Sequence, residues 1–108
     1  MLINFEGFTI ETRNILHISP VKKDQYGSHI FTITFLNKAE KSFHIPSSIN
    51  STEYGIKIRK ASTREEQMKL NEEFNKIAKN KLNVARDQLI EYWKKDQNNL
   101  PTITIEEI

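Results

Sequence analysis

The chain has 108 residues, of which 37% are hydrophobic, and a formal net charge of +2. This length is typical of one domain with a modest core. The absence of cysteine excludes disulfides, zinc–thiolate sites and thiol nucleophiles, and it favours a reducing cytoplasm. No segment approaches the ~20 apolar residues of a membrane helix, and residues 1–6 lack the features of a signal peptide. We therefore expect a cytoplasmic protein that makes no membrane contact.

Basic charge is distributed along the chain rather than concentrated in one element. The net charge is +3 for residues 1–60, +1 for residues 61–96 and −2 for residues 97–108. A domain devoted to nucleic acids usually carries a stronger imbalance on one face. The many Lys, Asn and Ile residues, together with only three glycines, indicate an AT-rich bacterial or phage genome.

The start of the chain predicts a tight β-hairpin. Residues 2–5 and 8–12 alternate apolar and polar side chains on either side of Glu6-Gly7. Glycine supplies the positive φ that such a turn requires. The side chains expected to face inward are Ile3, Phe5, Phe8 and Ile10.

Further short strands follow the hairpin. Residues 15–22 predict a strand that lies at a sheet edge or contains a bulge, because Pro20 has no N–H to donate. The strongest strand pattern covers residues 29–36, and residues 41–45 return antiparallel to it. Residues 55–60 predict either a last short strand or an extended connection.

A long amphipathic helix is predicted from about residue 62 to residue 96. Ser62 and Glu65 have the spacing of a capping box, in which two side chains satisfy free backbone N–H groups at the helix start. Pro101 and the polar residues before it end the helix. Apolar residues recur with a period near 3.6 over half the circumference, and they are Leu70, Phe74, Ile77, Ala78, Leu82, Val84, Ala85, Leu89, Tyr92 and Trp93.

The predicted helix is longer than the predicted strands can cover. About 34 residues span roughly 50 Å as a helix, whereas five to seven residues span roughly 20 Å as a strand. The helix is therefore either broken near residues 80–83, or continuous with its C-terminal half packed on a partner chain. The tail at residues 102–106 alternates like a strand, which completes the chain's own sheet or adds to the edge of a neighbour's.

These elements predict a single α+β domain over residues 1–108. An antiparallel sheet of about five to six short strands in residues 2–60 is packed by the helix at about 62–96, and residues 97–108 form the tail. Strands followed by a C-terminal helix that carries Trp93 resemble the pleckstrin-homology-like barrel in architecture. That resemblance implies a curled barrel with a C-terminal helix as the alternative fold.

No catalytic constellation stands out in the sequence. The three histidines, His17, His29 and His44, lie on predicted strands without the spacing of metal ligands. The three glycines exclude dinucleotide-binding and P-loop motifs, and no nucleophile elbow accompanies the serines. We therefore expect no enzyme, no metal and no cofactor, although a deep pocket that encloses two of the histidines would favour an enzyme.

The apolar stripe that exceeds the sheet predicts a non-enzymatic binding, adaptor or regulatory module. Large aromatic side chains at a helix end are typical anchors of protein interfaces. The residues expected to bind a protein partner, or a second copy in a homodimer, are Leu89, Ile90, Tyr92 and Trp93. The tail strand is a second candidate for this contact.

A basic cluster before the helix supports the alternative function, nucleic-acid binding. It consists of Lys57, Arg59, Lys60 and Arg64. The exposed N–H groups of a helix N-terminus add to its attraction for phosphate. Cations on an edge strand also prevent aggregation of sheets, so the cluster has a purely structural interpretation as well.

Overall fold

A computed structural model describes residues 1–45, 49, 52–95 and 101–108 of the chain. It confirms the α+β class, with antiparallel strands packed against one long C-terminal helix. The strands are β1 (Leu2–Phe5), β2 (Phe8–Glu11), β3 (Ile15–Ile18), β4 (Lys22–Lys23), β5 (His29–Phe35), β6 (Glu40–His44) and β7 (Thr102–Ile103). The helices are α1 (Glu53–Lys60) and α2 (Arg64–Lys94).

The strands form two sheets rather than the single sheet that the sequence predicted. The first sheet has the order β2-β1-β7, and in the second sheet β5 pairs with β3, β4 and β6. Within the described residues the sheets do not close on themselves, so the curled barrel implied by the resemblance is wrong. The core lies between the two sheets and α2, and aromatic rings of Phe5, Phe31 and Phe43 pack together in it.

The predicted hairpin at Glu6-Gly7 is confirmed. Both residues have positive φ, 51° and 77°, as the two-residue turn between antiparallel strands requires. Ile3 and Phe5 are fully buried, and Phe8 lies on the same face, because it pairs with Phe5 and its ring packs edge-on against Phe43 at 6.5 Å. Phe8 is nevertheless 41% exposed because β2 is an edge strand, so its predicted inward direction is confirmed but its full burial is not.

Pro20 interrupts the third predicted strand and leaves β3 and β4 as two separate pieces. β3 pairs with the end of β5 and β4 pairs with its start. Ser19 bridges the interruption, because its N–H donates to the Thr32 carbonyl at 2.9 Å and its hydroxyl accepts from the Thr32 N–H at 2.8 Å. The irregular edge that the proline predicted is thus confirmed.

The tail strand pairs within its own chain. β7 lies parallel to β1, and Ile103 and Ile105 are buried in the core. The strand is shorter than the predicted 102–106, and the Ile105 N–H donates to the Glu6 carboxylate instead of to a strand. A parallel pairing between the two ends of the chain is a long-range contact that no local pattern specifies.

Residues 55–60 belong to helix α1, so both predictions for them, a strand and an extended connection, are wrong. Tyr54 and Ile58 are partly buried and lie one helical turn apart, and the ring of Tyr54 packs edge-on against Phe74 of α2 at 6.0 Å. The alternation of Ile and cations matches a strand over six residues only. The spacing from Tyr54 to Ile58 is the helical signal that this alternation obscured.

Helix α2 is continuous over 31 residues, so the predicted break near residues 80–83 does not occur. It begins one residue later than the capping box implied. The hydroxyl of Thr63, not of Ser62, accepts the first free N–H, from Glu66 at 3.2 Å. Thr63 and Glu66 have the same i,i+3 spacing as Ser62 and Glu65, and the structure uses the second pair.

The half of α2 that extends beyond the sheets is the N-terminal half, opposite to the prediction. Leu82, Ala85 and Leu89 lie in the core among residues of both sheets and the tail. The N-terminal half is covered by α1 instead. The molecule is elongated, with principal extents of 53 × 25 × 18 Å, because this two-helix arm projects from the sheets.

Candidate functional site

The four residues predicted to bind a partner lie on the buried side of α2. Leu89 is 0% exposed and part of the core. Ile90, Tyr92 and Trp93 are partly buried and pack against that core. The chain's own strands therefore cover most of the surface that the sequence assigned to a partner.

The four cations of the predicted basic cluster lie where α1 ends and α2 begins. Lys57, Arg59 and Lys60 occupy α1 and Arg64 begins α2, and all four side chains are exposed. Lys57 also packs its ammonium group over the Tyr54 ring at 5.5 Å.

The three histidines do not converge on one site. His17 is exposed on β3, whereas His29 begins β5 and His44 ends β6. Among the residues that the structure describes, no three His, Asp or Glu side chains are arranged to hold a metal ion. His29 and His44 do line one cavity together.

An apolar groove lies between the β1–β2 hairpin and the β5–β6 hairpin. We call it the edge groove, and its volume is about 600 Å³. Three of its side chains are large, apolar and about half exposed, namely Leu2 at 48%, Phe8 at 41% and Leu36 at 58%. Ile10 and Phe35 form its floor. Exposed apolar side chains that share one groove are typical of binding surfaces.

The outer edge of β2 borders the edge groove, and no strand of the described residues pairs with it. The Asn4 N–H donates to Pro101 and the Glu6 N–H donates to Ile103, so these even-numbered peptide groups of β1 point towards β7. Asn4 is paired with Thr9 across the hairpin. Asn4 and Thr9 therefore form a non-hydrogen-bonded pair, in which the N–H and carbonyl of each residue point away from the other strand. The Thr9 N–H and carbonyl accordingly point outward from β2.

The peptide groups of β6 also point towards an open edge. Thr32 of β5 bonds through its N–H and carbonyl to Ser19, and its partner across the ladder is Ser42. The Ser42 peptide groups therefore point away from β5, towards the open edge. In the described residues β6 pairs with β5 alone. Two open strand edges thus flank one apolar groove.

Two charged side chains at the edge groove, those of Glu11 and Lys41, are already engaged, whereas the Glu40 carboxylate at its rim is exposed. Glu11 accepts the amino group of Met1 at 2.8 Å and the Arg13 N–H at 3.2 Å, and these hydrogen bonds lower the pKa of its carboxyl. The Lys41 ammonium lies 5.4 Å from the Phe8 ring centroid and 5.9 Å from that of Phe43. The groove can therefore hold an uncharged, extended backbone with apolar side chains.

Sequence reasoning missed the edge groove because strand order creates it. Phe8 and Leu36 each lie next to a turn, and an apolar residue in that position is the signal that could have identified them. No protein-family model, no curated protein and no solved structure matches this chain. In the part of the chain that the structure describes, no helix has the length and apolar character needed to cross a bilayer.

Proposed function

We propose that this chain is a non-enzymatic binding or adaptor module of a bacterium or phage that holds an extended segment of a partner protein in the edge groove. The observation that carries the proposal is the coincidence of two open strand edges with three half-exposed apolar side chains. An added strand gains main-chain hydrogen bonds from the edges and specificity from the side-chain contacts.

The partner segment has a defined chemistry. It is extended, with apolar side chains at alternate positions, because successive residues of a strand point to opposite sides. The apolar side chains on one face of the segment pack on Phe8 and Leu36, and its peptide groups bond to Thr9 on β2. The groove volume lies within the ~300–1,000 Å³ of typical ligand sites, which fits a short segment rather than a whole domain face.

The predicted partner contact through the distal helix is less well supported than the edge groove. Leu89 would have to leave the core to touch another chain, at a cost comparable to a large core substitution. The tail strand already pairs with β1. The edge groove needs no such rearrangement, since its apolar side chains are exposed in the folded chain.

Selection from a library of random peptides on the purified protein tests the proposal. We expect the selected peptides to carry apolar residues at alternate positions and to perturb the NMR signals of β2 and β6. Phe8→Asp and Leu36→Asp should each weaken binding at least ~tenfold, as loss of a buried contact does. Leu16→Asp is the matched control, because Leu16 is an exposed apolar residue of β3 outside the groove.

Two outcomes would contradict the proposal. One is that selected peptides bind the Phe8→Asp and Leu36→Asp variants as well as the wild type. The other is that selection on the wild type enriches nothing beyond selection on Leu36→Asp. Light scattering distinguishes the case in which the segment comes from a second copy of the chain, because a dimer would then dissociate in the Leu36→Asp variant.

Nucleic-acid binding at the end of the two-helix arm is the second candidate function. It is favoured by the exposure of Lys57, Arg59, Lys60 and Arg64 around the junction of α1 and α2. Binding of a short DNA or RNA should then weaken steeply as salt is raised from ~50 to ~200 mM. Replacement of all four cations by Gln should abolish it. Binding that is insensitive to salt or to this replacement would exclude the arm as the nucleic-acid-binding site.

A further inference from the structure

A second cavity, which we call the histidine pocket, lies at the other end of β5 from the edge groove. Its volume is about 660 Å³, and it is bounded by the β4–β5 turn, the end of β6 and the middle of α2. The polar side chains that line it include Lys23, His29, His44, Asn71 and Asn75. Asn71 and Asn75 are one helical turn apart, so both amides face the same side of α2.

The polar part of the histidine pocket carries positive charge. Its described lining contains one lysine and two histidines but no carboxylate. Asp24, in the adjoining turn, is engaged by the backbone N–H groups of Tyr26 at 2.8 Å and Ser28 at 3.0 Å. Lys79 on α2 adds a second ammonium charge near His29. This charge distribution is complementary to an anion.

His29 presents one nitrogen to a ligand. Its Nδ1 atom is excluded from solvent and has no hydrogen-bond partner among the described residues. Burial, and then the charges of Lys23 and Lys79, lower the pKa of His29, since a second ring proton would be buried unpaired. The other ring nitrogen, Nε2, is the one through which the ring can donate to a ligand.

We propose that the histidine pocket binds an organic anion, whose charged group pairs with Lys23 and accepts a hydrogen bond from Nε2 of His29. The apolar part of the ligand packs on Phe74, which lines the pocket beside the two asparagines. Asn71 and Asn75 supply further donors for its oxygen atoms. This site is separate from the edge groove and does not depend on the function proposed for it.

Binding of an anion is coupled to the protonation of His29. A bound negative charge stabilises the imidazolium, so it raises the pKa of His29 above its value in the free protein. The charged groups around the ring are Lys23 from β4 and Lys79 from α2, and His44 of β6 lines the same pocket. Affinity therefore increases as the pH falls through the pKa of His29.

Benzenesulfonate and benzenesulfonamide are matched probes, because they share a ring and a shape while only the first is charged at these pH values. NMR titration of the whole chain should show that benzenesulfonate shifts the signals of the pocket residues, more tightly at about pH 5.5 than at about pH 7.5. Lys23→Gln should weaken this binding about tenfold. Lys22→Gln, the same change one residue earlier and outside the pocket lining, should leave it unchanged. His29→Gln should remove the pH dependence.

Several results would overturn the proposal. Benzenesulfonamide that binds as tightly as benzenesulfonate would show that the site selects the ring and not the charge. Equal weakening by Lys22→Gln and Lys23→Gln would show that the anion responds to net charge alone. Absence of binding at ~10 mM benzenesulfonate, a concentration that detects even very weak sites, would show that the pocket is not an anion site.

Discussion

The two halves of α2 share one amphipathic pattern but have different neighbours. Leu82 and Leu89 in the C-terminal half are 0% exposed and covered by both sheets, whereas Phe74 in the N-terminal half is 7% exposed and packs against Tyr54 of α1. The N-terminal half is covered by α1, an eight-residue helix. An apolar stripe shows that a helix face is buried, but the stripe does not show which part of the chain covers it.

The first prediction has the largest effect and tests this difference directly. Leu89→Ala should lower the free energy of unfolding by about 2–5 kcal/mol, because it leaves a cavity among residues of two sheets. Met68→Ala removes a side chain of similar size, 55% exposed, from the same helix, and it should change the free energy of unfolding by less than ~0.5 kcal/mol. Urea denaturation followed by Trp93 fluorescence measures both. Equal effects of the two substitutions on the free energy of unfolding would show that Leu89 and Met68 are equally buried.

The second prediction concerns the polar contact that fixes the C-terminal half of α2 to the interrupted edge strand. Arg86 donates through Nε to the Ser19 carbonyl at 2.5 Å. Arg86→Met keeps the aliphatic packing but leaves that carbonyl without its charged donor, which should cost about 1.5–3 kcal/mol. The control is Asp87→Asn, whose exposed ion pair with Arg86 at 3.6 Å should contribute less than ~1 kcal/mol. The reverse order of the two effects would contradict this assignment.

The third prediction separates the predicted helix start from the observed one. Thr63→Ala removes the side chain that accepts the Glu66 N–H, so it should cost about 1 kcal/mol. Ser62→Ala should cost no more than a few tenths, because the Ser62 hydroxyl caps nothing. Thermal unfolding of both variants shows which of the two residues caps the helix. A larger loss of stability for Ser62→Ala would support the capping box that the sequence suggested.

Local patterns determined much of this fold in advance. Glu6-Gly7 predicted the first hairpin, Pro20 predicted the interrupted edge, and the 3.6-residue period predicted α2. The missed features depend on contacts between distant residues. Ile103 reaches the core only because β7 pairs with β1, and that pairing decides which half of α2 is covered. The edge groove likewise depends on β2 and β6 both being edge strands, which Phe8 and Leu36 cannot reveal alone.

In helix α1, too, the local sequence pattern was ambiguous and a contact with a distant residue determines the structure. The segment Ile56–Arg59 alternates like a strand, and only the packing of Tyr54 on Phe74 shows that the helical spacing prevails. A short helix held by one partner helix is expected to open without unfolding the rest of the chain. The arm and the core would then be two units of different stability.

The fourth prediction tests that separation and has the smallest effect on global stability. Tyr54→Ala should accelerate amide hydrogen exchange within α1 several-fold or more, because it removes the edge-on ring contact with Phe74. Exchange at Leu82 to Leu89 should stay unchanged, since those amides open only with the core. Tyr54→Phe keeps the ring and should behave as the wild type. Acceleration of both regions by the same factor would instead mean that the arm and the core unfold as one unit, and the contrast between the two halves of α2 would then concern burial alone.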